Sequence, residues 1–232
     1  MNICLIPARG GSKRILGKNI KEFNGKPIIA YSIEAAIKSG CFDRVIVSTD
    51  DKEIAEFANH FGAETPFIRP AELANDFIGT IPVTKHAIQW LKENKCTPDY
   101  VCCLYATVPF ITANLISESF NKIFKSKFEF IFAVTNYPAP IKRAIKINNQ
   151  DRVEMINPDH YNTRTQDFEE FYFDAGQLCW GKSYSWEREE SVIGPNTSTI
   201  ILPSYLVNDI DTEEDWRKAE IMYRVLKSDG IL

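Results

Sequence analysis

Two features of this sequence predict an α/β chain built on a mostly parallel sheet with helices on both faces. Short apolar, β-branched runs alternate with segments whose apolar residues recur at helical spacing, and a β–α–β–α order of that kind needs helices to cover both sheet faces. The alternation breaks once, over residues 136–180, where prolines, a polar stretch and clustered aromatics replace it. That segment reads as an insertion into an α/β domain formed by residues 1–135 and 181–232.

Taken in order, Ile3–Ile6 reads as a buried strand. Lys26–Lys38 places Ile29, Ile33, Ala36 and Ile37 on one stripe and ends near Gly40, the pattern of a core-facing helix. Arg44–Thr49 (RVIVST) is a β-branched strand ending at Asp50 and Asp51, and Lys52–Phe61 returns to helix with Gly62 as its cap. Ile81–Asn94 follows as a helix, Tyr100–Tyr105 as a strand, Thr112–Lys125 as a helix and Phe128–Val134 as a strand. After the insertion, Ser198–Leu202 and Leu206–Ile210 resume as strands, and Glu213–Lys227 closes the chain as a helix carrying Trp216, Ala219, Ile221, Met222 and Val225. The insertion holds Pro138, Pro140, Pro158 and the aromatics Phe168, Phe171, Tyr172, Phe173 and Trp180. It reads either as an arm whose exposed aromatics mark an interface or as a β-rich lobe closing its own core.

Charge and cysteine usage narrow the function classes. With 27 basic against 31 acidic residues, net −4, there is no overall basic field and nucleic acid is not an expected partner. Six cysteines occur without a C-x-x-C pair, several of them inside strand-like runs. There they pack as small hydrophobes, and neither a zinc site nor a disulfide framework is expected. The chain reads as reduced and cytoplasmic. Met1 leads directly into a strand with Arg9 close behind, unlike a signal peptide, and no apolar run reaches membrane-spanning length, so no membrane partner is expected.

Three clusters carry chemistry. The first strand runs into Ala8-Arg9-Gly10-Gly11-Ser12-Lys13-Arg14, followed by Gly17-Lys18-Asn19. Glycines let backbone N–H groups approach an anion, and the cations Arg9, Lys13, Arg14 and Lys18 neutralise it, which is how a chain holds a polyphosphate. The spacing fits neither the Walker loop nor the dinucleotide fingerprint. The second cluster, Asn208–Glu214, places Asp209 and Asp211 two apart at a strand end, on one side. Such a pair suits Mg²⁺, while Asp211 or Thr212 can equally cap the helix that follows. In the third, Arg69–Asp76 with Gly79-Thr80, Arg69 and Thr80 can hydrogen-bond a base, or the stretch is a surface turn and helix cap. His60, His86 and His160 form no Ser/His/Asp pattern, so acyl transfer gains no support.

Together these clusters resemble the CMP-sialic acid synthetase family, cytidylyltransferases that activate sialic-acid-type sugars. I-P-A-R-G-G-S-K with Lys18-Asn19, R-P-x-x-L-A-x-D from Arg69 and D-I-D-T-x-x-D-W from Asp209 stand in the family's order across essentially the whole chain. Where sialic acid synthetases carry L-Q-P-T-S-P, this chain has Leu104-Tyr105-Ala106-Thr107-Val108-Pro109, and in place of their lobe N-G pair it has Asp174-Ala175-Gly176-Gln177. Both departures resemble the branch that handles pseudaminic acid.

The resemblance implies a Rossmann-like nucleotidyltransferase that transfers CMP from CTP to the anomeric hydroxyl of pseudaminic acid, releasing pyrophosphate, for surface glycan or flagellin glycosylation. Alternatives are another acidic sugar (legionaminate, N-acetylneuraminate or Kdo) or a CTP-binding regulatory module without catalysis. It implies that Ala8, Arg9, Gly10, Gly11, Ser12, Lys13 and Lys18 hold the triphosphate, that Asn19 contacts the nucleotide's sugar and that Arg69 and Thr80 read cytosine. Asp209 and Asp211 would bind Mg²⁺, with Mn²⁺ as a substitute, and act with Lys18 and Arg9 in catalysis. Tyr105, Arg164, Gln166, Asp174 and Gln177 would line the sugar pocket. Residues 136–180 would form a homodimer arm that carries Arg164 and Gln166 to the partner's site.

Overall fold

The alternating apolar runs assemble into one six-stranded sheet. A computed structural model describes residues 1–188 and 191–232. In chain order its elements are β1 Asn2–Pro7, β2 Glu22–Phe23, β3 Lys26–Pro27, α1 Ile28–Ser39, β4 Arg44–Ser48, α2 Lys52–His60, α3 Thr80–Glu93 and β5 Tyr100–Leu104. There follow α4 Ala113–Phe124, β6 Phe130–Asn136, β7 Ile145–Ile147, β8 Val153–Met155, β9 Tyr172–Lys182, α5 Ser183–Arg188, β10 Thr197–Ile201 and α6 Glu213–Ser228. The main sheet has the order β10-β6-β9-β5-β1-β4. β1 pairs in parallel with β4 and β5, and β10 with β6, whereas β9 runs antiparallel between β5 and β6.

Side-chain alternation along β1 explains why both faces need cover. Cys4 and Ile6 point into a core with Ile29, Ile33 and Trp180, while Ile3 and Leu5 point into a second core with Ile88, Leu91 and Trp186. The two tryptophans are fully buried, and each finds a partner for its indole N–H: Trp180 donates to Ser119 Oγ at 3.0 Å and Trp186 to the Val101 carbonyl at 3.0 Å. Gly181 lies between them because a Cβ there would come within 2.6 Å of Phe130 Cε1. Helix ends follow local chemistry. α1 stops at Gly40, whose φ of 64° is left-handed, and Asp51 caps α2 by accepting from the Glu53 and Ile54 amides. α6 starts with a capping box between Thr212 and Asp215. A third core seats α6 on α1 and β2 through edge-to-face contacts of Phe23 with Tyr31 and Trp216. That docking brings the 207–212 segment back beside the glycine-rich loop.

Two sequence expectations change. Residues 172–180, read as the end of the inserted arm, belong to β9 inside the main sheet, so the projecting part is 137–171. Its own start and end pair as a ladder, Asn136 opposite Tyr172, before the chain leaves the sheet. Leu206–Ile210 is not a strand: Pro203 ends β10, Ser204–Leu206 forms a single 3₁₀ turn, and the chain then runs extended but unpaired to Asp211. The short helix α5 carried no sequence signal of its own.

Candidate active site

The carboxyl ends of β1 and β5 open into a cleft of about 730 Å³ lined by Arg9, Ser12, Lys13, Arg14, Lys18, Asn19, Arg69, Thr80 and Tyr105, with Ile78, Val83 and Ala106 among its apolar neighbours. The loop after β1 is fixed at several points. Ala8 is buried and donates its amide to the Ser48 carbonyl at 2.9 Å, and the Gly10 amide donates to Asp50 Oδ1 at 3.0 Å. Gly10 must be glycine because a Cβ would lie 2.9 Å from Asp51 Cβ, whereas a Cβ at Gly11 would make only an ordinary 3.8 Å contact with Arg9 Nη1. Asn19 is buried and donates to the Arg9 carbonyl at 2.9 Å, so it fastens the loop at the same time as it lines the cleft.

Two carboxylates meet the loop's four cations. Asp76 pairs with Arg9 and Lys13, each at 2.6 Å, and Asp211 with Arg14 at 2.7 Å and Lys18 at 3.5 Å. Lys18 also donates to the Ile210 carbonyl at 2.6 Å, which holds its ammonium over the cleft. Hydrogen bonds from Lys13 and Arg9 keep the Asp76 carboxyl below the usual carboxylate range. Arg69 is buried, and its guanidinium donates to Ser48 Oγ at 3.1 Å, to the Ser48 carbonyl and to the Leu73 carbonyl at 3.4 Å. Burial lowers its pKa below the ordinary arginine value, although Asp50 opposes the shift.

Asp209 is exposed by accessible surface, but partial desolvation by the surrounding segment followed by repulsion from Asp211 raises its carboxyl above the ordinary value. A carboxylate repelled by a second one is a place where a cation relieves the repulsion. Two carboxylates that leave room for water and phosphate fit Mg²⁺. The strand alternation offered for them does not hold, because the segment is unpaired; Lys18 and Arg14 hold Asp211 in place instead. The cap of α6 falls to Thr212.

The proposed sugar residues fall in four different places. Tyr105 lines the cleft, and burial, with Cys103, Asp174 and Asp209 nearby, raises its phenol well above the ordinary value. Gln177 is buried in β9 behind it: its carbonyl accepts from the Tyr105 amide at 2.9 Å, its Nε2 donates to the Leu206 carbonyl at 2.5 Å, and its Oε1 lacks a donor. Asp174 is exposed near the start of β9 and accepts from the Gly176 amide at 2.8 Å. Arg164 and Gln166 lie elsewhere, on a turn of the projecting segment where Arg164 pairs with Asp167. Asp76 is the residue the sequence reading left without a role; its signal was its place as the last member of the R-P-x-x-L-A-x-D run.

This cleft, beyond the strand ends of a mixed nucleotidyltransferase sheet, defines the class, and comparison with known proteins defines the family. The fold matches the solved structure of CMP:2-keto-3-deoxy-manno-octonic acid synthetase complexed with CTP, with a TM-score of 0.68 at 16% identity over 96% of this chain and 98% of that one. The cytidylyltransferase family model matches residues 3–184, and the chain belongs to that family. It is 43% identical to the pseudaminic acid cytidylyltransferase of Campylobacter jejuni over 97% of both chains. It is 31% identical to the CMP-N,N'-diacetyllegionaminic acid synthase of the same species, over 95% of this chain and 94% of the relative. No helix among the described residues is long and apolar enough to cross a membrane.

Proposed function

We propose that this cytidylyltransferase joins CMP from CTP to the anomeric hydroxyl of pseudaminic acid and releases pyrophosphate. The observation that carries the reading is the 43% identity, spread over 97% of both chains, to a relative bearing that name. The cleft supports it. Arg9, Ser12, Lys13 and Lys18 offer a cationic, donor-rich wall for a triphosphate, and the buried Arg69 with Thr80, Ile78 and Val83 forms a half-polar wall for the base.

Attack of the sugar hydroxyl on the α-phosphorus builds negative charge on the phosphoryl oxygens and the leaving pyrophosphate. Lys18, already oriented by the Ile210 carbonyl, neutralises that charge without reorganising. Asp209 and Asp211 would hold Mg²⁺, which when bound adds a Lewis acid at the phosphates. Tyr105 stays protonated across the physiological range and so presents a hydroxyl donor to the sugar. Gln177 supports this pocket from behind, through the Tyr105 and Leu206 backbones.

The projecting segment 137–171 serves as the arm of a homodimer, and carries Arg164 and Gln166 toward the partner's cleft. The enzyme works in the cytoplasm and supplies an activated sugar for surface glycan or flagellin modification.

The test is pyrophosphate release from CTP with pseudaminate, legionaminate and N-acetylneuraminate at equal concentration. Pseudaminate should give the highest kcat/KM by a clear margin, since a pocket that leaves a buried polar group unpaired rejects a near-analogue strongly. A win for either of the others would remove the sugar assignment. CTP binding with no turnover on any sugar would favour a regulatory module.

A further inference from the structure

Asp76 sits on two loop cations that the triphosphate reading gives to phosphate. Its two oxygens are divided between two cations of the loop, Oδ1 at 2.6 Å from Arg9 Nη1 and Oδ2 at 2.6 Å from Lys13 Nζ. A planar anion spanning an arginine and a lysine reproduces the contacts those side chains would make with a phosphate group. The carboxylate is delivered by a short surface turn rather than by the sheet. Asn75 closes that turn, donating to the Glu72 carbonyl at 2.9 Å and accepting the Phe77 amide at 2.9 Å, and Phe77 beside it is 96% exposed. The turn is therefore tied down by its own local bonds and by the Asp76 pairs, and no apolar packing of Phe77 opposes its movement. Arg9 and Lys13 line the cleft, so an anion entering it meets a cation pair already satisfied from within the chain.

We propose that Asp76 is a built-in competitor for the phosphate chain: it occupies the Arg9–Lys13 pair in the empty enzyme, is displaced with its turn when a polyphosphate binds, and returns to help expel pyrophosphate after transfer. This rests on the reading of the cleft as a triphosphate site and adds to it a residue that weakens polyphosphate binding. The sign of the effect separates the idea from its rivals. A residue that ligates or orients the substrate weakens binding when removed, whereas removing a competitor tightens it.

Calorimetric binding of inorganic pyrophosphate without metal, and of CTP, to the full chain tests this. Asp76→Asn, which keeps the shape and removes the charge, should bind pyrophosphate about 3- to 10-fold more tightly than the unaltered protein, in the range that close charge pairs contribute. Glu72→Gln on the same surface segment, where no ion pair to the loop is formed, controls for the general change in charge and should shift binding less. Phe77→Trp in each background gives a fluorescence readout of the turn. Pyrophosphate should change the signal when Asp76 is present and leave it nearly unchanged in the Asp76→Asn background. Weaker or equal pyrophosphate binding by Asp76→Asn, or an equal gain from Glu72→Gln, would overturn the proposal alone. Failure of the unaltered chain to bind CTP or pyrophosphate would overturn the triphosphate reading and the proposal with it.

Discussion

Trp180 and Tyr161 lie close in sequence and in opposite worlds. Trp180 is fully buried, stacked on Phe42 with ring centroids 4.9 Å apart, and hydrogen-bonded through its indole to Ser119. Tyr161 is 74% exposed, and the whole of 137–171 contains no buried residue. Yet that segment is not polar: Ile145, Ile147, Val153 and Ile156 all face solvent around the two-stranded β7–β8 ladder. An isolated two-stranded hairpin is marginal in water, and a surface of exposed apolar side chains on it calls for a covering partner. The sheet region stabilises itself by burying what it carries. The projection keeps its apolar surface outside, which suits an element that works against another chain.

The largest effect expected from that contrast is on stability. Trp180→Ala removes a fully buried indole that packs against both Phe42 and Phe120 and takes away the hydrogen bond that the Ser119 hydroxyl accepts, leaving it only its own donation to the Ile116 carbonyl. It should cost about 3–5 kcal/mol, the usual range for aromatic truncation in a core. Urea unfolding followed by circular dichroism reads it. A loss below about 1 kcal/mol would mean the sheet core relaxes as freely as the projection, against close packing.

Lys18→Ala comes next and moves function rather than fold. Lys18 is on the loop after β1 and is held by the Ile210 carbonyl and Asp211, so its loss should leave the cores untouched. A charge contact made mainly in the transition state is worth about 3–4 kcal/mol, and kcat should fall about 10²- to 10³-fold with little change in melting temperature. Near-normal turnover would remove Lys18 from the chemistry.

The same contrast accounts for what the sequence made legible. Strands and helices of the sheet region could be read because each carries a periodic pattern that burial enforces: the alternation of β1 and the stripe of α1 are visible before any contact is known. The glycine-rich loop was legible for the same reason at one remove, since Gly10 is required by the approach of Asp51. What escaped had no local enforcement. β9 reads as part of an aromatic insertion because its place between β5 and β6 is decided by long-range pairing. The Leu206–Ile210 stretch looks like a strand by composition, but β10 has already ended before Pro203 and no strand among the described residues pairs with it. Asp76 gained no role because its meaning lies in two cations more than sixty positions away.

A pair of substitutions in the projection sharpens the comparison from the other side. Ile147→Ser with Tyr161→Ser changes two strongly exposed side chains, 68% and 74% accessible. Surface changes of this kind stay within about 0.5 kcal/mol, so the melting temperature of the separated chain should barely move. Light scattering should instead show weakened self-association, because these are the apolar groups the homodimer reading covers. Full association of the double variant would shift the interface away from this face of the projection.

The smallest expected effects are in pH dependence, and they separate the regions by window. On α3, burial and then the Arg69 charge hold the His86 imidazole below its ordinary value of 6.5, with Glu72 and Glu93 opposing, and its ring packs edge-on to Phe67. The unfolded chain therefore takes up the proton more readily, so stability falls as pH drops below 6.5 and levels off once the folded state also protonates. In the β7–β8 ladder, hydrogen bonds from Asn148 and then Lys146 hold Glu154 below its ordinary 4.5. Its contribution is present above that value and is lost as pH falls through the folded pKa. Urea midpoints at about pH 7.5 and about pH 5.5 should differ for the unaltered protein and differ less for His86→Gln. Glu154→Gln should leave that difference intact, because its window lies lower and its ladder shares no core with the sheet. If Glu154→Gln removed the difference as His86→Gln does, the projection would be unfolding together with the sheet, and the two regions would form one cooperative unit.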